Sequence, residues 1–264
     1  MHHVFMRTVK SLNTDEGMTE FIYGRNAVME ALRAAVRLQK ILLASDLPAA
    51  RVVEIEKLAQ KAGISIERVE KEKIAHLAGT KKTQGVVAIA PAHTYASISA
   101  ILAQSEARGE PPLLACLDGI EDPHNLGAIL RSAEAAGIHG VILPKRRSAG
   151  LNATVARTSA GAAAHVLTAR VANLTATMKD LKSKGLWFVG AHQEGKQLYT
   201  EADLSGPLGI VIGSEGHGLH RLVRENCDFL VRIPMYGRIN SLNASVAAAL
   251  LFYEARRQRE TGRA

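Results

Sequence analysis

Short, continuously apolar runs alternate with helix-period segments along this chain, and that alternation narrows its possible folds more than any other feature. LLACLD at 113–118, GVILP at 140–144 and LGIVIGS at 208–214 show no polar–apolar alternation. Such runs suit strands buried on both faces, as in a parallel sheet covered by helices on each side. Between them, HNLGAILRSAEAAG, LNATVARTSAGAAA, NLTATMKDLKSKG and GLHRLVRENC read as helices, and LWFVGAH, HVLTARV and FLVRIPM as further extended segments. Alternating strands and helices of this kind predict an α/β domain over 113–264.

A second, smaller α/β unit is expected over 19–93. FIYGRNAVMEALRAA reads as a strand and then a helix from Asn26; QKILLAS, SIERVE and GVVAIAP read as strands. ARVVEIEKLAQKAG and KEKIAHLAG read as helices, the first stopped by Gly63. Residues 1–18 are polar and aperiodic and are expected to form a flexible tail. Residues 94–112 contain one short helical pattern, then Gly109 and the Pro111–Pro112 pair, and are taken as a linker.

The formal charge of +8 favours a polyanionic partner such as nucleic acid, although a merely basic surface would give the same number. The charge is unevenly placed. No Asp or Glu occurs between Glu134 and Asp180, an interval that carries Lys145, Arg146, Arg147, Arg157, Arg170 and Lys179. A stretch of one sign is suited to tracking phosphates. Cys116 and Cys227 have no metal-ligand spacing and read as two buried free thiols in a reducing cytosol. No metal site is expected. No apolar run reaches the roughly 18 residues of a membrane span, and MHHVFMRTVK lacks the apolar region of a signal peptide.

Three polar constellations fall where strands end, the edge at which open α/β sheets bind ligands. In DGIEDPHNLGAILRSAEAAG, Asp122 and Pro123 suit a helix cap and first turn, and Asn125 lies at the helix start. Arg131 follows Gly127 by four residues and would lean over a position with no side chain, leaving room for a phosphate or sugar. A capping Asn and a solvated Arg are the plainer alternative. In VIGSEGHGL a strand enters a glycine-rich turn with one carboxylate, Glu215. Neither the G-x-G-x-x-G fingerprint nor a phosphate loop is present. In MYGRINSLNASVAAALLFY, Asn240, Ser241, Asn243 and Ser245 stand before a helix whose Val246, Ala249, Leu250 and Tyr253 read as a buried face. One helix cap needs one such residue, and the surplus points to a ligand. His124, His192, His217 and His220 show no nucleophile–base pattern and read as structural or solvated.

These three segments, in this order, resemble the SpoU (TrmH) family of RNA ribose 2′-O-methyltransferases. N-x-G-x-x-x-R matches Asn125, Gly127 and Arg131; G-x-E-G-x-G matches Gly213, Glu215, Gly216 and Gly218; I-P-M-x-G-x-x-x-S-L-N-x-S matches Ile233 through Ser245. IYGRNAVMEAL and QGVVAIA look like the small RNA-binding domain of some members. PKRRSAGLNATVARTSAGAA and FYEARRQR look most like the RlmB-type branch, which methylates a guanosine of 23S rRNA. The resemblance implies a SPOUT-type parallel sheet threaded into a trefoil knot, a cytoplasmic homodimer, and S-adenosylmethionine as cofactor. It implies cofactor contacts at Gly213, Ile233 and Leu242, and catalytic roles for Arg131, Asn125, Glu215, Ser241 and Asn243. A tRNA target, or a non-catalytic RNA-binding protein that assists ribosome assembly, are the alternatives.

Overall fold

The computed structural model describes residues 8–14, 17–33, 36, 38–91 and 94–262. Residues 1–94 and 95–264 form two compact units.

The first unit is a five-stranded sheet with helices. Its elements are β1 (Thr8–Thr14), β2 (Gly17–Tyr23), α1 (Arg25–Arg33), β3 (Lys40–Ala44), α2 (Val53–Lys61), β4 (Ser65–Val69), α3 (Lys71–Ala78) and β5 (Val86–Pro91). The order is β1-β2-β5-β3-β4, with only β3 and β4 parallel. Phe21, Leu42, Val69, Ile74 and Val87 pack as its core. Residues 8–14 and 17–18, expected to belong to a tail, instead form an edge strand and the start of its partner. An edge strand is held by backbone hydrogen bonds to one neighbour, and these need no apolar signature in the sequence.

The second unit holds α4 (Ile98–Ala107), β6 (Leu113–Asp118), α5 (Pro123–Ala135), β7 (Gly140–Pro144), α6 (Ala153–Thr158), β8 (Thr168–Val171), α7 (Leu174–Lys182), β9 (Trp187–Ala191), β10 (Gln197–Leu198), β11 (Leu208–Gly213), α8 (Arg221–Glu225), β12 (Phe229–Arg232) and α9 (Ala244–Thr261). The sheet order is β10-β12-β9-β11-β6-β7-β8, and every pairing is parallel. Strands β6 and β11, continuously apolar in sequence, are buried at every position. One core layer joins α5, α9 and residues 149–166 to the sheet; the other joins α4, α7 and α8.

Three expectations change here. Residues 95–112 belong to the second unit and are no linker: Ile101 of α4 is fully buried with Leu114, Cys116 and Ile142. The close approach depends on Gly140, where an added Cβ would lie 2.5 Å from the Ile101 side chain. The helix expected over 151–164 breaks after Thr158, because Ala160 (φ 50°) and Gly161 (φ 91°) turn left-handed. The face of α9 carrying Val246 and Tyr253 is exposed; Ala244, Ala248, Leu251, Phe252 and Ala255 are buried instead. Both faces are apolar, and the alanine-rich one lets α9 lie close against α5.

Chain order places the ligand edge. From β6 the chain builds outward through β7 and β8; it then crosses to β9 on the far side and returns to insert β11 beside β6. The strand order reverses between β6 and β11, and a crevice opens beyond the carboxyl ends of strands at such a reversal. Asp118 and Gly213, paired in register, end those two strands.

Candidate functional site

β11 runs into a tight loop closed by two backbone bonds, Ser214 N to Gly218 O at 3.1 Å and Gly218 N to Ser214 O at 2.9 Å. Gly213 is obligatory there. A Cβ on it would lie 2.2 Å from the Gly218 carbonyl carbon. Gly216 (φ 86°) and Gly218 (φ 63°) supply the left-handed turns that close the loop.

The loop carries Glu215 to the start of α9, where the three sequence constellations meet. One oxygen, Glu215 Oε1, accepts from Asn125 Nδ2 (3.0 Å), from the Asn243 side-chain amide and from Ala244 N (3.2 Å). Asn243 Nδ2 also donates to Asn125 Oδ1 at 2.9 Å. The other end of Asn243 caps α9, Oδ1 accepting from Ser245 N at 2.9 Å. A carboxylate at a helix N-terminus is favoured by the unpaired amides there. Asn125 reaches this point because Asp122 caps α5 and Pro123 opens it. Residues 90 and 118 positions apart in the chain are thus joined by one carboxylate.

Behind the loop lies a cavity of about 420 Å³ at the ends of β9, β11 and β12. Gly213, Ile233, Leu242, Glu215 and Ser241 all line it, with Ile212 and Met235. Its lining includes Glu194 and Glu215 and no Lys or Arg. The volume falls in the range of small-molecule sites, about 300–1,000 Å³. Glu194 is paired with Arg224 at 3.5 Å, whereas Glu215 has no basic partner among the described residues. A wall that is about half apolar, with backbone edges and that carboxylate, fits a cationic, partly aromatic molecule.

Arg131 is not brought into this cluster. It is exposed, and among the described residues it makes no hydrogen bond or ion pair. Six positions beyond Asn125 on α5, it stands about 9 Å further along the axis and roughly a third of a turn away. The space expected above Gly127 is also absent. A Cβ there would lie 1.8 Å from Thr158 Oγ1, so Gly127 serves close packing of α5 on α6.

The sequence reading missed the pair Asp118–His220. Asp118 is buried; its Oδ2 accepts from His220 N at 2.7 Å and its Oδ1 lies 2.9 Å from His220 Nδ1. The contact pins the far end of the glycine loop to β6. An acidic residue closing an otherwise apolar central strand was the available signal. Cys116 is buried and Cys227 half-buried, both free. Burial pushes the Cys116 thiol far up and that of Cys227 up to about 12, so neither is a nucleophile at neutral pH. Among the described residues no group of three metal-ligating side chains occurs, and no helix is long and apolar enough to cross a membrane.

Residues 112–253 match the SpoU rRNA methylase family, and residues 21–96 match an RNA 2′-O ribose methyltransferase substrate-binding domain. A TrmH family tRNA/rRNA methyltransferase of Staphylococcus saprophyticus is 48% identical over 90% of this chain and 95% of its own. Among solved structures, an RNA 2′-O ribose methyltransferase aligns with a TM-score of 0.58 at 30% identity, covering 93% of this chain and 91% of that one. The SpoU methyltransferase AviRb from Streptomyces viridochromogenes, solved in complex with AdoMet, aligns with a TM-score of 0.60 at 25% identity, covering 91% and 90%. The chain belongs to the SpoU RNA methyltransferase family.

Proposed function

We propose that the protein transfers a methyl group from S-adenosylmethionine to a ribose 2′-hydroxyl of RNA, on a guanosine of 23S rRNA, in the cytosol. The observation that carries the reading is the cavity behind the glycine loop, whose walls hold two carboxylates and no Lys or Arg. When bound, the cofactor supplies an electrophilic methyl on a sulfonium. Gly213, Ile233 and Leu242 would hold it through backbone and apolar contacts. Glu215 keeps a negative charge at the wall, and Asn125 and Asn243 fix that carboxylate. Ser241 adds an uncharged donor at the cavity mouth. Arg131 would hold the target phosphate and the 2′-oxygen. Its role is alignment and charge stabilisation, since a free guanidinium is a poor base.

The first unit would bind the RNA. A surface cavity there is lined by Arg25, Arg51 and Lys57, which suits phosphates. The loop and helix after β12 support a homodimer. Tyr236 is 95% exposed, Ile239 75%, Tyr253 54% and Val246 46%, apolar side chains on the loop and helix that a second copy could cover. In that dimer Arg131 of one copy would face the RNA held by the other, which explains its distance from the Glu215 cluster. The same reading has the chain after β11 threaded as a trefoil knot; β11 between β6 and β9, and the Gln193 Nε2 bond to Asn240 O at 2.6 Å, support it.

Calorimetric titration with S-adenosylmethionine tests the cavity, and no binding would remove the proposal. Mapping of ribose methylation in cells lacking the protein tests the target. One missing guanosine mark in the large-subunit RNA is expected; a missing tRNA mark would overturn that assignment.

A further inference from the structure

A second cavity, of about 520 Å³, lies across the glycine loop from the first. Ser214 and His217 line both, so the loop separates them. The two differ in their strong charges, although His217 belongs to both linings. The first has carboxylates and no Arg or Lys; the second is lined by Arg147 and Arg221, with His217, His220 and a single carboxylate, Glu121. Its floor is Gly119 (φ 76°), where an added Cβ would lie 3.3 Å from the His220 ring and 3.4 Å from Ser214 Cβ.

The cationic lining is held in place and is free to act. Asp118 Oδ1, 2.9 Å from His220 Nδ1, and Asp118 Oδ2, accepting from His220 N at 2.7 Å, hold that ring in place. Arg147 sits in the turn after β7 with φ 54°, a left-handed conformation that costs a non-glycine residue energy. It is exposed and, among the described residues, makes no hydrogen bond or ion pair. Arg221 has one partner, Glu225 at 2.8 Å, an exposed pair that contributes little. Lys145 and Arg146, also exposed, lead into the cavity along the same turn. They begin the acid-free interval noted in the sequence, and no other part of the proposed reaction uses them.

We propose that this second cavity seats a nucleotide of the RNA strand next to the one being methylated, with its phosphate on Arg147 and Arg221. The inference rests on the methyl-transfer reading of the first cavity for its orientation. A strand lying here would pass the shared wall at Ser214 and His217 and present its neighbouring ribose to the first cavity. Two guanidiniums suit a phosphate, which they can grip with paired N–H donors.

The test is salt-dependent binding of a fluorescein-labelled RNA stem–loop to the full-length protein, comparing wild type with R147Q/R221Q. Losing one neutralised phosphate on single-stranded RNA lowers the slope of log affinity against log salt by about 0.7, and a fall of that size is expected. R147K/R221K should restore most of it. K184Q removes an exposed charge from the turn leading into β9, at the amino-terminal edge of the sheet, and should leave the slope unchanged. Equal slopes for R147Q/R221Q and wild type, with thermal melts confirming that both are folded, would overturn the inference. Binding of inorganic phosphate with the RNA slope unmoved would overturn it too, leaving a free-anion site. Calorimetry with S-adenosylmethionine reads the first cavity independently. Failure there removes the methyl-transfer reading, while the RNA slope still decides whether this cavity holds a phosphate.

Discussion

The two edges of the seven-stranded sheet both gather polar side chains, and they use them in opposite ways. At the amino-terminal edge, buried Arg259 donates to the carbonyls of Pro111 (2.6 Å), Gly206 (2.6 Å) and Pro112 (3.0 Å). Arg256 donates to the carbonyls of Ala136 and Gly137, and fully buried His139 accepts from Leu113 N at 3.0 Å. These side chains are closed against the chain's own backbone. At the carboxyl-terminal edge, Glu215, Asn125 and Asn243 bind chiefly one another; Glu215 and Asn243 are exposed, Asn125 is half-buried, and Glu215 lines the cavity. Polar groups satisfied by backbone contribute stability; polar groups satisfied by other side chains at a crevice remain available to a ligand.

Substitutions at the two edges should therefore separate stability from activity. The largest effect is expected from Arg259→Ala, which strands three carbonyls from different segments. Denaturant unfolding should register a loss of about 3–5 kcal/mol, with cofactor affinity intact in the protein that remains folded. Should Arg259→Ala lose cofactor binding while keeping its melting temperature, the contrast between the edges would fail. Next is Arg131→Ala, with methyl transfer falling about 10²–10³-fold at unchanged stability and cofactor affinity. Full activity in the purified variant would remove Arg131 from the mechanism.

A third effect is on pH. Burial, with Arg108 nearby, pushes His139 down from 6.5 to about 4. The unfolded chain therefore binds the extra proton first. The contribution of neutral His139 is complete above about pH 6.5 and is lost as pH falls through about 4, amounting to at most ~3 kcal/mol. Melting temperatures should drop across that window, and less steeply in His139→Gln; parallel profiles would show that another group governs acid stability. The smallest effect is that of Asn243→Ala, about 1 kcal/mol from the lost α9 cap. It should also weaken cofactor binding, because Glu215 loses a donor. A change in stability alone would make Asn243 a cap and nothing more.

Much of this was readable in advance. The strands from Leu113, Gly140 and Leu208 were plain because a strand covered on both faces is apolar throughout. Gly213, Glu215 and Asn243 stood out because glycine and surplus amides are costly where no turn or cap requires them. Other features were hidden. β1 is an edge strand, fixed by pairing that residue type does not announce. Gly127 looked like space for a ligand and proved to be contact with Thr158, because sequence names no partner. Asp118–His220 spans 102 positions and has no local pattern.

The sequence by itself determined the buried strands and most of the helices, and that three polar clusters lie at strand ends. Those properties follow from periodicity and from local backbone chemistry. Only the tertiary structure decided that Asn125, Glu215 and Asn243 share one carboxylate oxygen, and that α9 buries Ala248 and Phe252 and exposes Val246 and Tyr253. Both outcomes depend on which surfaces are brought together when β11 inserts beside β6. Two apolar faces of one helix cannot be ranked until the partner that covers one of them is in place.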